Sequence, residues 1–130
     1  MYDVRIINNE AILFEDDIEV MNLEHLRDKY NRIRYEFDDG NYVHIWPNNT
    51  IAWFDSDGVY HRDDDMPTHI TTNGFMQYCK HGKTHRENGP SIIHSSGKEK
   101  YWLEGNIYTK KDYIYKLNSR YGIISCMMFE

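Results

Sequence analysis

Histidines are the residues of this chain whose type and spacing first suggest chemistry. Six of the seven lie between His44 and His94, and imidazoles so grouped could bind a metal ion or transfer protons. His61 and His85, however, occupy equivalent positions 24 residues apart, each followed by an arginine and an acidic residue. If they lie two strands apart, at roughly 4.8 Å per strand, about 10 Å separates them, which is too far to share one ion. We therefore interpret the His-Arg pairs as structural links and expect neither a metal nor a cofactor.

Carboxylates and nucleophiles form no enzymatic pattern. Runs such as Glu15-Asp16-Asp17 and Asp63-Asp64-Asp65 fall in predicted turns, whereas a general acid or base needs a carboxylate whose pKa is perturbed by a pocket. Cys79 and His81 reach the same strand face only if the strand extends past the following turn, so a buried, inert thiol is favoured. We expect that the protein is not an enzyme. A small site around His81 and His85 is the remaining enzymatic alternative.

Charge is distributed unevenly along the chain. The 130 residues contain 15 Lys+Arg and 21 Asp+Glu, a net charge of −6. Residues 1–65 hold 16 acidic and 6 basic side chains, and residues 66–130 hold 5 acidic and 9 basic ones. The first half is therefore at −10 and the second at +4. Because nucleic-acid binding depends on neutralising phosphates, the first half disfavours it, and an acidic surface instead favours docking onto a basic protein surface.

Many aspartates of the acidic first half, residues 1–65, fall in predicted turns of adjacent hairpins. Turns at the same end of a hairpin stack cluster in space, so the sequence predicts an acidic rim that is either a binding surface or merely a solvated one. Two tryptophans are further candidates, because they flank an aromatic repeat position and could form an exposed platform. The predicted partner-binding residues are Asp38, Asp39, Asp55, Asp57, Asp63, Asp64, Asp65, Trp53 and Trp102.

A repeat with a period of 23–24 residues must position these side chains. An aromatic residue precedes glycine by four positions at Phe54, Tyr78 and Tyr101. The turn signal Asn73-Gly74 separates two β-prone segments in one unit. Residues 50–108 are therefore predicted to be tandem β-hairpins in an antiparallel, twisted sheet. The three aromatic residues are expected to form a ladder on one face, with Trp53 and Trp102 on the other.

The ends of the chain are predicted to cap this array within a single domain of residues 1–130. Residues 1–49 are expected to contain a hairpin of 2–7 with 11–14, a helix at about 22–31, and a hairpin of 32–37 with 42–46. Residues 109–130 are expected to form a helix capped by Thr109 and ended by Gly122, and then a strand over 123–129. The predicted fold class is thus α+β, mainly β, with a short helix near each end.

One hexapeptide resembles a known repeat. His85-Arg86-Glu87-Asn88-Gly89-Pro90 is similar to the His-Arg-x-x-Gly-Pro signature of tandem hairpin repeats in phage and giant-virus proteins, which are MORN-like in period and design. The resemblance covers about residues 50–118. The sequence departs from it at Met66, where an extra residue replaces glycine, and at Ser91, where alanine is usual. The resemblance implies a scaffold or interaction surface and a viral source, and it implies no reaction.

The cellular compartment follows from what the sequence lacks. Cys79 and Cys126 are too few for a disulfide framework, no secretory signal opens the chain, and no apolar run has the length of a membrane span. We therefore expect a protein of the host-cell cytoplasm that does not enter a membrane.

These observations lead to one main hypothesis and two alternatives. The main hypothesis is a viral accessory protein that binds and inhibits a host protein, for example an anti-defence protein such as an anti-CRISPR, whose acidic face occupies a basic nucleic-acid channel. One alternative is nucleic-acid or nucleotide binding by the basic, aromatic C-terminal half. Its residues would be Lys98, Lys100, Lys110, Lys111 and Trp102. The other alternative is a structural virion component.

Overall fold

The first 22 residues fold into a three-stranded antiparallel sheet. The computed structural model describes residues 1–120, so the predicted Gly122 cap and the strand over 123–129 lie outside the described residues. Strands β1 (Tyr2–Ile7) and β2 (Glu10–Glu15) pair around Asn8 and Asn9 at φ 51° and 63°, a left-handed conformation that asparagine tolerates. This hairpin is confirmed. The strand β3 (Ile18–Asn22), which pairs with β2, was not predicted.

The helix predicted at 22–31 is wrong. Only a 3-10 turn forms, over Glu24–Leu26, and the chain becomes extended at the next residue (φ −62°, ψ 128°). Asp28 explains why, because its carboxylate accepts the backbone N–H groups of Tyr30 (2.8 Å) and Arg32 (3.0 Å). Such side-chain bonds offer the backbone an alternative to helical bonding. Leu26 and Tyr30, which a helix would place on one face, are 38% and 60% exposed.

The rest of the described chain is also mainly β, as predicted. One helix, α1 (Lys110–Arg120), begins after Thr109, whose hydroxyl accepts the backbone N–H of Asp112 at 3.1 Å. The strands are, in chain order, β4 (Ile33–Glu36), β5 (Tyr42–Ile45), β6 (Ile51–Phe54), β7 (His69–Ile70), β8 (Met76–Gln77), β9 (Cys79–Lys80), β10 (Lys83–Thr84), β11 (Ile92–Ile93), β12 (Glu99–Leu103) and β13 (Asn106–Tyr108).

Eight of these strands form one antiparallel sheet, which we call the main sheet. Its spatial order is β13-β12-β11-β8-β7-β6-β5-β4, and β9 pairs with β10 as a separate two-stranded ribbon. Glycines permit the tight turns: Gly74 and Gly97 follow β7 and β11 at φ 96° and 90°, which favours glycine over other residues. Consecutive strands of the main sheet are thus neighbours in space, apart from the excursion through β9 and β10.

The core lies where the first sheet covers one face of the main sheet at β4–β6. Period-two alternation places every second residue of these strands on that face. The buried apolar residues are Val4, Ala11, Leu13, Leu23, Ile33, Val43, Ile45, Ile51 and Trp53. The opposite face of β4–β6 is not covered by the first sheet. We call it the outer face.

The turn after Asp55 is one residue longer than the turn between β9 and β10. This extra residue changes which aromatic residue of β6 occupies the position expected for the ladder. Asp55 donates its N–H to the Val59 carbonyl around a three-residue loop, whereas β9 and β10 are joined by two residues. The residue equivalent to Tyr78 is therefore Trp53 rather than Phe54. Consistent with this, Arg62 lies over Trp53 at 3.8 Å and Arg86 lies over Tyr78 at 3.9 Å.

Candidate functional site

Four of the predicted partner-binding aspartates line one cleft of about 300 Å³, which we call the acidic cleft. Asp38 and Asp39 come from the turn between β4 and β5, and Asp63 and Asp64 come from the segment between β6 and β7. The neighbouring turn, residues 55–58, packs beside the first of these, since the Ser56 N–H bonds the Asn41 side chain at 3.1 Å. The predicted clustering of acidic turns therefore exists around this cleft.

Aromatic rings form the apolar wall of the acidic cleft. Phe37 stacks on Trp53 with ring centroids 5.7 Å apart and planes inclined by 7°, and Tyr2 contacts Phe37 at 4.7 Å. Trp53 itself is only 6% exposed and belongs to the core, so its ring is not the accessible platform that the sequence suggested. Sequence reasoning missed Tyr2 and Phe37; the position of Phe37 directly before the aspartate pair was the available signal.

Arg62 holds the two walls of the acidic cleft together. Its guanidinium donates to the carbonyl oxygens of Tyr2 (3.0 Å) and Pro67 (3.1 Å) and to Asp3 Oδ1 (3.1 Å). Burial lowers the pKa of Arg62, and the nearby Asp3 carboxylate opposes that shift. Because its donors are used inside the protein, Arg62 fixes the segment that carries Asp63 and Asp64 against β1.

The seven aspartates differ in whether their charge is already neutralised. Asp63 pairs with Lys80 at 3.1 Å, and Asp65 pairs with Arg86 at 2.8 Å; each cation lowers the pKa of its carboxyl partner. Asp55 is mostly covered, and its carboxylate accepts the N–H groups of Asp57 and Val59.

The remaining aspartates keep their charge available. Within residues 1–120, Asp38, Asp39, Asp57 and Asp64 have no ion pair within 4.0 Å. Three of these four line the acidic cleft. The cleft therefore presents three carboxylates without an ion pair next to aromatic rings, and Met1, which also lines it, pairs through its ammonium with Asp16 at 2.8 Å.

The two histidines of the His-Arg pairs bond to the backbone of the next turn. His61 Nδ1 accepts the N–H of His81 at 3.0 Å, and His85 Nδ1 accepts the N–H of Glu104 at 2.9 Å. In a neutral imidazole only the unprotonated nitrogen can bind a metal ion, and in both histidines that nitrogen already accepts a backbone N–H. The bonds fit the structural interpretation. In the part of the chain that the structure describes, no group of three or more potential ligands is arranged to hold a metal ion.

Cys79 is unsuited to nucleophilic chemistry. It is buried, and burial raises the pKa of its thiol. A reactive cysteine requires the opposite shift and some exposure. His81, the partner considered from the sequence, instead stacks on the ring of His61 at 4.0 Å.

The basic residues of the C-terminal half do not form an unopposed patch. Lys100 and Lys110 line a shallow cleft of about 590 Å³, but Glu99 and Asp112 line it too. Trp102 is half-buried, with its Nε1 atom covered. Lys98 and Lys111 are exposed outside this cleft.

No protein-family model, curated protein or solved structure matches this chain. Among residues 1–120, no helix combines the length and apolarity needed to span a membrane. What the molecule offers a partner must therefore be read from its own geometry and charge.

Proposed function

We propose that this protein is a non-enzymatic interaction module that binds a partner protein with a basic surface through the acidic cleft. The observation that carries the proposal is the juxtaposition of the unpaired carboxylates of Asp38, Asp39 and Asp64 with the rings of Tyr2 and Phe37. Carboxylates attract cationic side chains, and ring faces attract them again through the quadrupole.

Arginine is the side chain that suits this cleft best. Its guanidinium is planar and weakly hydrated, so it stacks on an aromatic ring while donating a fork of hydrogen bonds to a carboxylate. Lysine presents a strongly hydrated point charge, and it satisfies only the electrostatic part. A partner that inserts an arginine from a basic surface is therefore the expected occupant.

The scaffold supports an interaction role. The paired contacts at Arg62 and Arg86, each to a proline carbonyl at 3.1 Å and an aromatic ring, favour a tandem repeat over residues 50–108. Such a repeat would accord with the resemblance to viral MORN-like proteins. We extend the proposal accordingly: the protein is a viral accessory protein of the host cytoplasm that inhibits a host protein by occupying its basic nucleic-acid channel, as an anti-defence protein would.

Binding to a labelled nona-arginine peptide, followed by fluorescence anisotropy at two salt concentrations, tests the cleft. The double variant Asp38→Asn/Asp64→Asn removes two unpaired carboxylates, and asparagine tolerates the positive φ of 64° at position 64. At roughly 0.5–1 kcal/mol per exposed contact, we expect binding about 5- to 30-fold weaker.

The matched control is Glu19→Gln/Glu36→Gln, which changes the net charge equally at exposed sites outside the cleft. We expect this variant to bind within about twofold of the wild type, because net charge alone acts weakly at high salt. Equal weakening by both double variants would refute a specific site, since it would mean that the peptide senses only the total charge.

A further inference from the structure

The outer face of the main sheet carries a continuous group of aromatic rings. Ring centroids lie 4.9 Å apart for Tyr42 and Phe54, 4.9 Å for Phe54 and Tyr60, and 4.2 Å for Tyr60 and His69. His44 adds contacts to Phe54 at 5.2 Å and to Trp46 at 5.6 Å. We call these six residues the aromatic face.

The strand register explains this arrangement. His44 and His69 both pair with Ala52, which is 0% exposed because its small side chain lies between larger neighbours. Two residues along the same strands, Tyr42 pairs with Phe54. Alternating residues of β5, β6 and β7 therefore bring rings to the side opposite the core, where the first sheet does not cover them.

Two clefts meet at Trp46 on this side of the molecule. One, of about 490 Å³, is lined by Trp46, Tyr60 and His69 together with residues of the β5–β6 turn. The other, of about 410 Å³, is lined by Trp46, Arg32 and Arg34 and also by Asp28, which pairs with Arg32. A ligand lying across Trp46 would thus contact rings at one end and guanidinium groups at the other.

The arginines differ in their availability. Arg32 pairs with Asp28 at 3.2 Å, so that its charge is largely offset. Arg34 is exposed and lies 3.9 Å over the Tyr42 ring, and within residues 1–120 no carboxylate approaches it within 4.0 Å. Four residues of extended strand separate Tyr42 from Trp46, about 13 Å, which puts Trp46 well away from the turn that carries Asp38 and Asp39.

His69 lines the cleft next to Trp46 and Tyr60. Its Nδ1 is buried and has no hydrogen-bond partner in the described structure. Burial also lowers the pKa of His69, so the ring is neutral near pH 7 and has one donor and one acceptor nitrogen. The ring therefore contributes an uncharged aromatic surface to the cleft rather than a cation.

We propose that the aromatic face binds single-stranded nucleic acid, with one base against Trp46 and Tyr60 and a phosphate of the strand at Arg34. Ring faces accept any base by stacking, and an unpaired arginine provides the anion contact that a plain apolar peptide would not need. A free nucleotide offers the same chemistry as one unit of a strand. The binding mode is independent of the acidic cleft, and it departs from the expectation that the first half disfavours nucleic acid, because Arg34 supplies a local positive charge there.

Fluorescence anisotropy of a labelled eight-nucleotide oligothymidylate tests the proposal, with unlabelled thymidine monophosphate as competitor. We expect Trp46→Leu to weaken oligonucleotide binding by about 5- to 100-fold, the range for loss of one stacked base. Tyr60→Ala should weaken it similarly, and Tyr60 is 37% exposed, so this variant keeps the test valid should Trp46→Leu fail to fold. Arg34→Gln should make the slope of log affinity against log salt concentration shallower by about the amount that one phosphate contact contributes.

The matched controls are Trp102→Leu and Lys100→Gln in the other half of the main sheet, and neither should change the affinity. Competition by the monophosphate identifies the nucleotide unit as sufficient, whereas binding of the oligomer alone identifies a strand as the ligand; both support the proposal. Absence of oligonucleotide binding, or loss of binding only in the two control variants, would overturn it. So would equal binding of an acidic peptide, because that would show a site for anions without a role for the base.

Discussion

Replacement of Arg62 by alanine should destabilise the protein more than the equivalent replacement of Arg86. The Arg62 side chain is 6% exposed, donates to Tyr2, Asp3 and Pro67, and covers the Trp53 ring. It is the guanidinium that joins the first sheet to the segment between β6 and β7. Its removal would leave the Tyr2 and Pro67 carbonyls without this donor, whereas the Asp3 carboxylate would keep Arg5 and the Val4 N–H.

The magnitude follows from the type of contact. Each buried carbonyl left without its donor costs about 1–3 kcal/mol, and the Trp53 ring also loses its cation–π contact, so Arg62→Ala should cost about 3–5 kcal/mol in all. At a denaturant dependence of about 1.5–2 kcal/mol per molar urea, the unfolding midpoint should fall by roughly 1.5–3 M. Arg62→Lys keeps the charge but not the planar fork, and its loss should be smaller.

Arg86→Ala is the matched control, because Arg86 makes the equivalent contacts to a proline carbonyl and to Tyr78 but pairs with the half-exposed Asp65. It should cost about 1–2 kcal/mol. The assay is urea unfolding followed by both circular dichroism and tryptophan fluorescence. A loss for Arg62→Ala below about 1 kcal/mol, or one no larger than that of Arg86→Ala, would refute the assigned role, given the expected cost of two carbonyls left without a donor.

Three further predictions follow. Iodoacetamide should leave Cys79 unlabelled in the native protein at pH 7.5 and label it after unfolding, as peptide mass spectrometry would show, because burial raises its pKa; native labelling would contradict this. Ser91→Ala should lower the free energy of unfolding in urea by about 1–3 kcal/mol, because the fully buried Ser91 hydroxyl accepts the backbone N–H of Trp102 at 2.7 Å. Ser91→Thr keeps the hydroxyl, so it should lose less stability than Ser91→Ala, and an equal loss would argue against this hydrogen bond. Arg86 lowers the pKa of Asp65, so the pair stabilises the fold above pH 4 and loses that effect as the pH falls below 3.8, the usual pKa of an aspartate. The difference in urea midpoint between wild type and Asp65→Asn should therefore shrink from pH 6 to pH 3. A difference that stays constant would argue against the pair.

Local turn chemistry was readable from the sequence. Asn8-Asn9 and Asn73-Gly74 each set a left-handed turn between β-prone segments, and the strands appear where those signals predict them. The start of α1 was likewise readable from Thr109, since a hydroxyl cap acts within one turn. Such features depend on residues a few positions apart, so sequence patterns capture them.

Features set by longer-range or competing contacts were not readable. The Asp28 carboxylate bonds backbone N–H groups that a helix would have used, and apolar spacing gives no sign of that competition. One extra residue in the loop after Asp55 moved Trp53 into the ladder position and into the core.

The acidic cleft itself depends on Arg62 reaching Tyr2, 60 positions away in the chain. The aspartates could therefore be predicted as a rim, but the aromatic wall that makes them a cleft could not. The alternation of Tyr42, His44 and Trp46 was a visible signal for the aromatic face, because it marks the second side of a strand whose other side is core.

The central claim is that the acidic cleft, rather than the acidic surface in general, receives a basic partner. A titration of nitrogen-15-labelled protein with unlabelled nona-arginine, followed by two-dimensional amide spectra, tests it most directly. We predict shifts concentrated at the amides of Asp38, Asp39, Asp63 and Asp64, which line the cleft. Shifts of equal size at Glu19 and other exposed acids outside the cleft would contradict the claim.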